Sequence, residues 1–304
     1  MKNILITGGS GFIGRRLSEL LVDRKYNVFW LSRERHIKAE IPRYKWDYKN
    51  KEIDIQALEK ADIIIHLAGS NIGDELWSTR KKQEIVESRV ETAKLLLEKL
   101  KSLNKKPEAF ITASAVGFYG MLTVDKIFTE EDMPAHNDFL SQTCKKWEEA
   151  AFCFQDELNI RTIAIRTSFV ISTKSEAFKK MVIPVRFGLA APLGTGNQYT
   201  SWIHLEDICG IYLKAIEDST MQGVYNASAP EHVTNKEFMH SLAKEMRRPF
   251  ILPNVPKFIL KLFMGEASGT ILEGSRISSQ KIIDKGYEFQ YSTVEKAFRN
   301  SLNL

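Results

Sequence analysis

The sequence predicts an α/β protein: a doubly wound parallel sheet followed by a smaller, mixed C-terminal lobe. Three observations point there. Short apolar runs alternate with longer helix-spaced patterns through the first half of the 304 residues. A glycine-rich turn, Gly8 to Gly14, joins the first strand pattern to the first helix pattern. After Ser172 the texture changes to short helical patterns with prolines between them.

The elements follow in order. Asn3–Thr7 reads as a buried strand, and Phe12–Arg24 places Ile13, Leu17, Leu20 and Leu21 at helical spacing. Val28–Leu31 is the second strand and Asp62–His66 another. Ile85–Leu103 is a long amphipathic helix, followed by the strand Ala109–Ala113. Asn137–Glu157 is helical again, and Ile160–Arg166 is strand. Beyond residue 172, the helix Glu176–Phe187 leads into a Gly-, Ala- and Pro-rich segment, 188–197, and then a strand-like Tyr199–His204. Asp207–Ile216 reads as helix, Gly223–Ala227 as a strand returning to the main sheet, and three or four short helices follow from Thr234.

Composition narrows the classes. The chain is 43% hydrophobic and 27% charged, as ordinary globular proteins are. Its formal charge of +5 is spread out, so Arg80-Lys81-Lys82, Lys105-Lys106 and Arg247-Arg248 read as solvated helix faces, and no nucleic-acid partner is expected. Cys144, Cys153 and Cys209 show no pairing or ligand spacing and read as reduced thiols, with no metal site expected. The run Ile4-Leu5-Ile6 ends at once in Thr7-Gly8-Gly9, so no signal peptide or membrane partner is expected, and the address is taken as cytoplasmic. The apolar stretch Phe250 to Met264, broken by Pro253 and Pro256, is expected to pack inside the C-terminal lobe.

Thr7-Gly8-Gly9-Ser10-Gly11-Phe12-Ile13-Gly14 leaves a strand and opens a helix, the context that gives a glycine motif its meaning. There the backbone can approach a pyrophosphate, and the helix N-terminus offers free N–H groups and its positive end. Gly8, Ser10, Gly11, Phe12, Ile13 and Gly14 are therefore candidate contacts of a dinucleotide in a Rossmann-type sheet. The second strand ends in Ser32-Arg33, where an NAD-selective site usually carries Asp or Glu. A hydroxyl followed by a guanidinium fork suits the extra 2′-phosphate, so NADP(H) is the expected cofactor. Glu34 works against this assignment and Arg35 with it. Residues 1–172 are then the NADP-binding domain, with 203–227 expected to rejoin it, and 173–304 the smaller substrate lobe.

These motifs resemble a known family. TGGSGFIG at 7–14, HLAG at 66–69 and Ser114 within SAVGFYG at 114–120 resemble the extended short-chain dehydrogenase/reductases, which include the nucleoside-diphosphate-sugar epimerases. SRVETAKLL at 88–96, KKWEEAA at 145–151, PLGTGNQYTSWIHLEDI at 192–208, GVYNASAP at 223–230 and EGSRISSQKIIDKGYEF at 273–289 resemble an atypical subgroup of "epimerase family proteins". The resemblance runs over nearly the whole chain. It implies that Gly8, Gly11 and Gly14 hold the pyrophosphate, that Ser32 and Arg33 hold the 2′-phosphate, and that Leu67, Ala68 and Gly69 line the ribose through their backbone.

Typical members use a Ser or Thr to hold the substrate, a Tyr as acid/base, and a Lys four residues later that lowers the Tyr pKa. Ser114 suits the first role. The Tyr/Lys pair is absent: with Trp147-Glu148 setting the register, Leu140 and Cys144 stand in those places, as in the subgroup at large. Tyr119 is the candidate replacement acid/base, and Gln198, Trp202 and His204 are candidate substrate contacts; packing or capping roles compete for Tyr119 and His204. His66 is read as positioning the cofactor loop. Two functions remain in play. One is an NADP(H)-dependent oxidoreductase or epimerase-like enzyme acting on a small polar substrate such as a nucleotide sugar, with a homodimer as one possible assembly. The other is a non-catalytic NADPH-binding regulator.

Overall fold

A computed structural model describes residues 1–302. The chain begins with β1 (Asn3–Thr7), α1 (Phe12–Asp23), β2 (Asn27–Ser32), β3 (Arg43–Asp47), β4 (Glu52–Ile53), α2 (Ile55–Lys60) and β5 (Ile63–His66). It continues through α3 (Thr79–Ser102), β6 (Ala109–Ala115), β7 (Ile127–Phe128), α4 (Phe139–Leu158), β8 (Arg161–Thr167) and β9 (Phe169–Ile171). Then come α5 (Glu176–Arg186), β10 (Trp202–His204), α6 (Leu205–Glu217), β11 (Gly223–Ala227) and α7 (Asn235–Glu245). The described part closes with α8 (Lys257–Met264), α9 (Gly269–Leu272), β12 (Arg276–Ile277), α10 (Gln280–Asp284) and α11 (Val294–Ser301).

The main sheet runs β11-β8-β6-β5-β1-β2-β3-β4, parallel throughout except for the β3–β4 edge pair. From β1 the chain builds outward through β2 and β3, then returns to β5 on the other side. That reversal opens a crevice beyond the carboxyl ends of β1 and β5, where ligands of such sheets bind. Alternate residues of β1 serve opposite layers. Ile4 and Ile6 pack with Leu17 and Leu21 of α1 and Ile208 and Ile211 of α6. Leu5 packs with Leu58 of α2, Ala93 and Leu96 of α3, and Phe154 of α4. Burial on both faces explains why the strands read as continuous apolar runs. The C-terminal lobe has its own core around Phe178, Val182, Trp202, Phe238, Leu242 and Phe298. Asp207, fully buried in the first turn of α6, accepts hydrogen bonds from the Tyr287 hydroxyl and the Gln290 and Tyr291 amides, tying the last segment to α6.

The structure departs from sequence expectation in several places. Strand β3 was not foreseen, because its buried residues Tyr44 and Trp46 alternate with Arg43 and Lys45 and leave no apolar run. Helix α3 starts at Thr79 rather than Ile85, since the Ser78 side chain caps it by accepting from the Lys81 amide. Lys81 is 5% exposed instead of solvated, and its ammonium donates to Ser70 Oγ at 3.0 Å. Of the apolar stretch before Met264, Phe250 packs against the lobe's core but the end does not: Phe258, Leu262 and Phe263 of α8 are 70%, 76% and 75% exposed. Among the described residues, no helix is long and apolar enough to cross a membrane.

Candidate cofactor and active site

The turn from β1 into α1 lies at the head of the crevice. Gly8 holds φ +70°, and a Cβ there would stand 2.7 Å from the Leu67 carbonyl carbon, so only glycine lets the two loops meet. A Cβ on Gly14 would lie 2.5 Å from the Gly8 carbonyl oxygen, so the helix presses on its own loop. Helix α1 has Gly11 as its N-cap, no side-chain cap and no acidic residue in its first turn. The first-turn amides of Phe12 and Ile13 are thereby left for an anion, whose charge the helix end favours. Ser10 and Gly11 are exposed at the tip of the turn, while Phe12 and Ile13 lean on the core behind it. The uncapped turn and its glycine contacts fit a dinucleotide diphosphate.

A buried hydrogen-bonded chain holds this turn against the strand beside it. The Ala68 amide donates to Thr7 Oγ1 at 3.2 Å, leaving that hydroxyl to donate to His66 Nδ1 at 2.8 Å. The opposite ring nitrogen, Nε2, then donates to Thr92 Oγ1 at 3.1 Å, and Thr92 Oγ1 donates to the Ser88 carbonyl. This pattern matches a neutral Nε2–H tautomer. Burial, with the nearby Arg89 charge, lowers the His66 pKa to about 4. Leu67 and Ala68 are half-buried and Gly69 is exposed at the crevice.

At the end of β2, Ser32 is half-buried and its hydroxyl donates to the Glu34 carbonyl. Arg33 is exposed and makes no ion pair among the described residues. Arg35 is engaged elsewhere: its Nε donates to Asp54 at 3.1 Å. The free guanidinium at this strand end is thus Arg33.

Ser114 and Tyr119 belong to one buried network, which also holds two residues that sequence reasoning missed. Ser114 is 3% exposed, and its hydroxyl donates to Glu148 Oε1 at 2.6 Å. The Arg166 guanidinium grips both oxygens of Glu148 at 2.8 Å and donates through Nη1 to the Tyr119 hydroxyl at 3.0 Å. Tyr119, 1% exposed, donates in turn to Asn226 Oδ1 at 2.7 Å, and burial pushes its phenol up to about 12. A phenol so placed packs and hydrogen-bonds internally; it has no open face toward the crevice. Glu148 stands among the charges of KKWEEAA and gives no signal in the sequence, and Arg166, although it follows the apolar run Ile163-Ala164-Ile165, shows no partner there. Leu140 and Cys144 lie beside Gly117, where a Cβ would stand 3.4 Å from Leu140 Cβ and 3.9 Å from Cys144 Sγ. Burial lifts the Cys144 thiol to about 12, so neither residue can exchange a proton at neutral pH.

The three expected substrate contacts are buried in the structure. Gln198 is 2% exposed, and its amide donates to the Leu193 and Ile271 carbonyls, stapling the 188–197 loop to α9. Trp202 lies fully buried in β10 among the lobe's core residues. His204 caps α6 by accepting from the Glu206 amide, donates to Ser301 Oγ at 3.0 Å and stacks on Tyr291. Burial lowers the His204 pKa to about 4. All three are buried: the polar atoms of Gln198 and His204 join segments of the lobe, and the Trp202 ring fills its core.

A twisted parallel sheet with a glycine turn at its order reversal defines a dinucleotide-binding α/β protein. Residues 4–228 match the NAD dependent epimerase/dehydratase family, and the chain belongs to it. Residues 255–301 match a domain of unknown function, DUF1731. The chain is 34% identical to the epimerase family protein YfhF of Bacillus subtilis, over 97% of its own length and 96% of that protein. It is 31% identical to the human epimerase family protein SDR39U1, over 97% of its length and 98% of the relative. A crystal structure of the human protein with NADPH superposes with a TM-score of 0.89 at 28% identity, covering 99% of both chains.

Proposed function

We propose that this protein binds NADP(H) in the crevice between the Gly8–Gly14 turn and the Leu67–Gly69 segment. There it serves as an oxidoreductase or epimerase-like enzyme for a small polar molecule, with nucleotide sugars as the first candidates. The observation that carries the cofactor assignment is the unpaired Arg33 guanidinium at the end of β2. An acid at that position would repel a 2′-phosphate, whereas a guanidinium binds it. The human relative crystallised with NADPH supports the same reading. Arg33→Ala should weaken NADPH binding about 10- to 100-fold, the worth of a charge-assisted hydrogen bond, and leave NADH binding unchanged. Calorimetric titration of both nucleotides checks this; equal affinity of the unmodified protein for the two rejects the assignment.

Bound NADPH would supply a hydride. The chain would have to orient the acceptor and handle its proton without a Tyr/Lys pair. Ser114 remains the proposed holder of the substrate and Tyr119 the proposed acid/base, acting once substrate draws them out of the Glu148–Arg166 network. Loss of turnover in Ser114→Ala with intact NADPH binding would support this. The occupation of both hydroxyls by internal partners also favours a second reading, a non-catalytic protein whose NADPH-bound state is recognised by a partner. Substrate-dependent NADPH oxidation across a panel of nucleotide sugars and small carbonyl compounds would dispose of that alternative.

A further inference from the structure

We propose that one side of the C-terminal lobe docks on the surface of an anionic lipid bilayer. This side is made of α8, the segment leading into it and the end of α5. Helix α8 has no buried residue. Its Ile259, Leu260 and Met264 are half-buried, while Phe258 and Leu262, one turn apart, share an exposed face, and Phe263 is exposed as well. The run before the helix lies alongside the end of α5. Val255 pairs with Leu193, and a Cβ on Gly188 would stand 3.8 Å from Pro249 Cγ. Phe187 and Leu189 flank that junction on one side and Ile251 on the other, at 75%, 58% and 84% exposure. Of 17 phenylalanines, the exposed ones among the described residues are Phe187, Phe258 and Phe263, all in this region. An apolar cluster left open in this way marks an interaction surface.

Charge selects the occupant. From Ala177 to Leu205 and from Met246 to Gly265 the chain has seven Lys and Arg and no Asp or Glu, more than its whole surplus of five. These segments are distant in sequence but meet in the fold, so a charge that looks spread along the chain is gathered on one side of the lobe. Lys179 and Lys257 pair with Glu176 and Glu273, and Lys180 donates to the Gly73 carbonyl. Arg186, Arg247, Arg248 and Lys261 are exposed and make no ion pair among the described residues. A second copy seated here by two-fold symmetry would set these cations against their own kind. Exposures of 70% and more belong to side chains that project, as entry into a bilayer needs, rather than line a groove. Anionic lipids answer both features. The Phe, Leu and Ile tips enter the boundary between headgroups and acyl chains, and the long basic side chains reach the phosphates. The expectation of no membrane partner rested on the lack of a span, and surface docking requires none.

Co-sedimentation of the full chain with vesicles tests this. Vesicles of phosphatidylcholine alone are compared with vesicles that also contain phosphatidylglycerol. The protein should bind the mixed vesicles about tenfold or more tightly than the neutral ones, and added salt should weaken that binding. A variant carrying Arg247→Gln, Arg248→Gln and Lys261→Gln should lose about tenfold or more of the affinity for mixed vesicles. So should a variant carrying Phe258→Ser, Leu262→Ser and Phe263→Ser, although it keeps every charge. Both change exposed side chains only, so their urea midpoints should match that of the unmodified protein. Lys105→Gln with Lys106→Gln, a basic pair in the turn after α3, should bind as the unmodified protein does. No binding to the mixed vesicles overturns the proposal, as does equal binding to both kinds. An unchanged affinity in the serine variant, or an equal loss in the Lys105/Lys106 variant, reduces any binding to general charge and also overturns it. A lipid-free dimer that the serine variant splits into monomers assigns the face to a second copy instead.

Discussion

The imidazole of His66 shows how much one buried ring can decide. Its pKa is about 4 in the folded chain, while an exposed histidine titrates near 6.5. Between those values the unfolded chain binds the extra proton and the native chain does not. The stability tied to His66 is therefore fully present above pH 6.5 and drains away as the pH falls toward 4, about 3 kcal/mol in all. His204 titrates in the same direction. Urea midpoints measured from pH 7 to 4 should fall steeply through this window; a flat profile would contradict the tautomer chain from Thr7 to Thr92. At this scale the sequence was legible where the backbone makes the demand. The glycines at 8 and 14 announce their contacts because no other residue fits. Glu148 and Arg166 were not legible, since their meaning depends on partners brought together from distant parts of the chain.

Helix α4 shows what a single cap can organise. Asp138 accepts from the Leu140 and Ser141 amides at its N-terminus and from the Met121 amide, so one carboxylate starts the helix and pins the loop after β6. Asp138→Ala should cost about 1–2 kcal/mol, the usual worth of an N-cap. The loss is measurable as a lowered denaturant midpoint, and serine, which can also cap, should restore part of it. The long periodic helices and the buried strands β1, β5, β6 and β8 could be read from the sequence because their apolar spacing is strong. Strand β3 could not, because polar residues alternate with Tyr44 and Trp46. The start of α3 was missed because its first turn, Thr79 to Lys82, shows its cap but no apolar stripe.

Across the whole molecule, specific hydrogen bonds tie the C-terminal segments to the elements packed on the sheet. Asp207 is the clearest, collecting the Tyr287 hydroxyl and the Gln290 and Tyr291 amides at 2.8–3.0 Å. Asp207→Ala would strip three donors of a buried acceptor and should cost about 2–4 kcal/mol. Limited proteolysis should then cut the chain near residues 285–291 faster than in the unmodified protein; identical cleavage would show that other contacts hold this segment. The doubly wound architecture was evident from the order of elements, because alternating strands and helices leave few alternatives. The roles of Gln198, Trp202 and His204 were not. A polar residue in a motif looks the same whether it faces a ligand or staples two loops, and only the packed lobe distinguishes the two.

Trp30 gives the phosphate turn an optical signature. Its indole N–H donates to Ser18 Oγ at 2.8 Å, Ser18 donates to the Gly14 carbonyl, and a Cβ on Gly9 would fall within 2.5 Å of the ring. Of the protein's five tryptophans, this one lies directly beneath the turn. Nicotinamide in its reduced form absorbs where indole emits, so loading should dim the intrinsic fluorescence, and Trp30→Phe should remove a large share of that quenching. Occupancy would then be readable in a cuvette without any knowledge of the substrate.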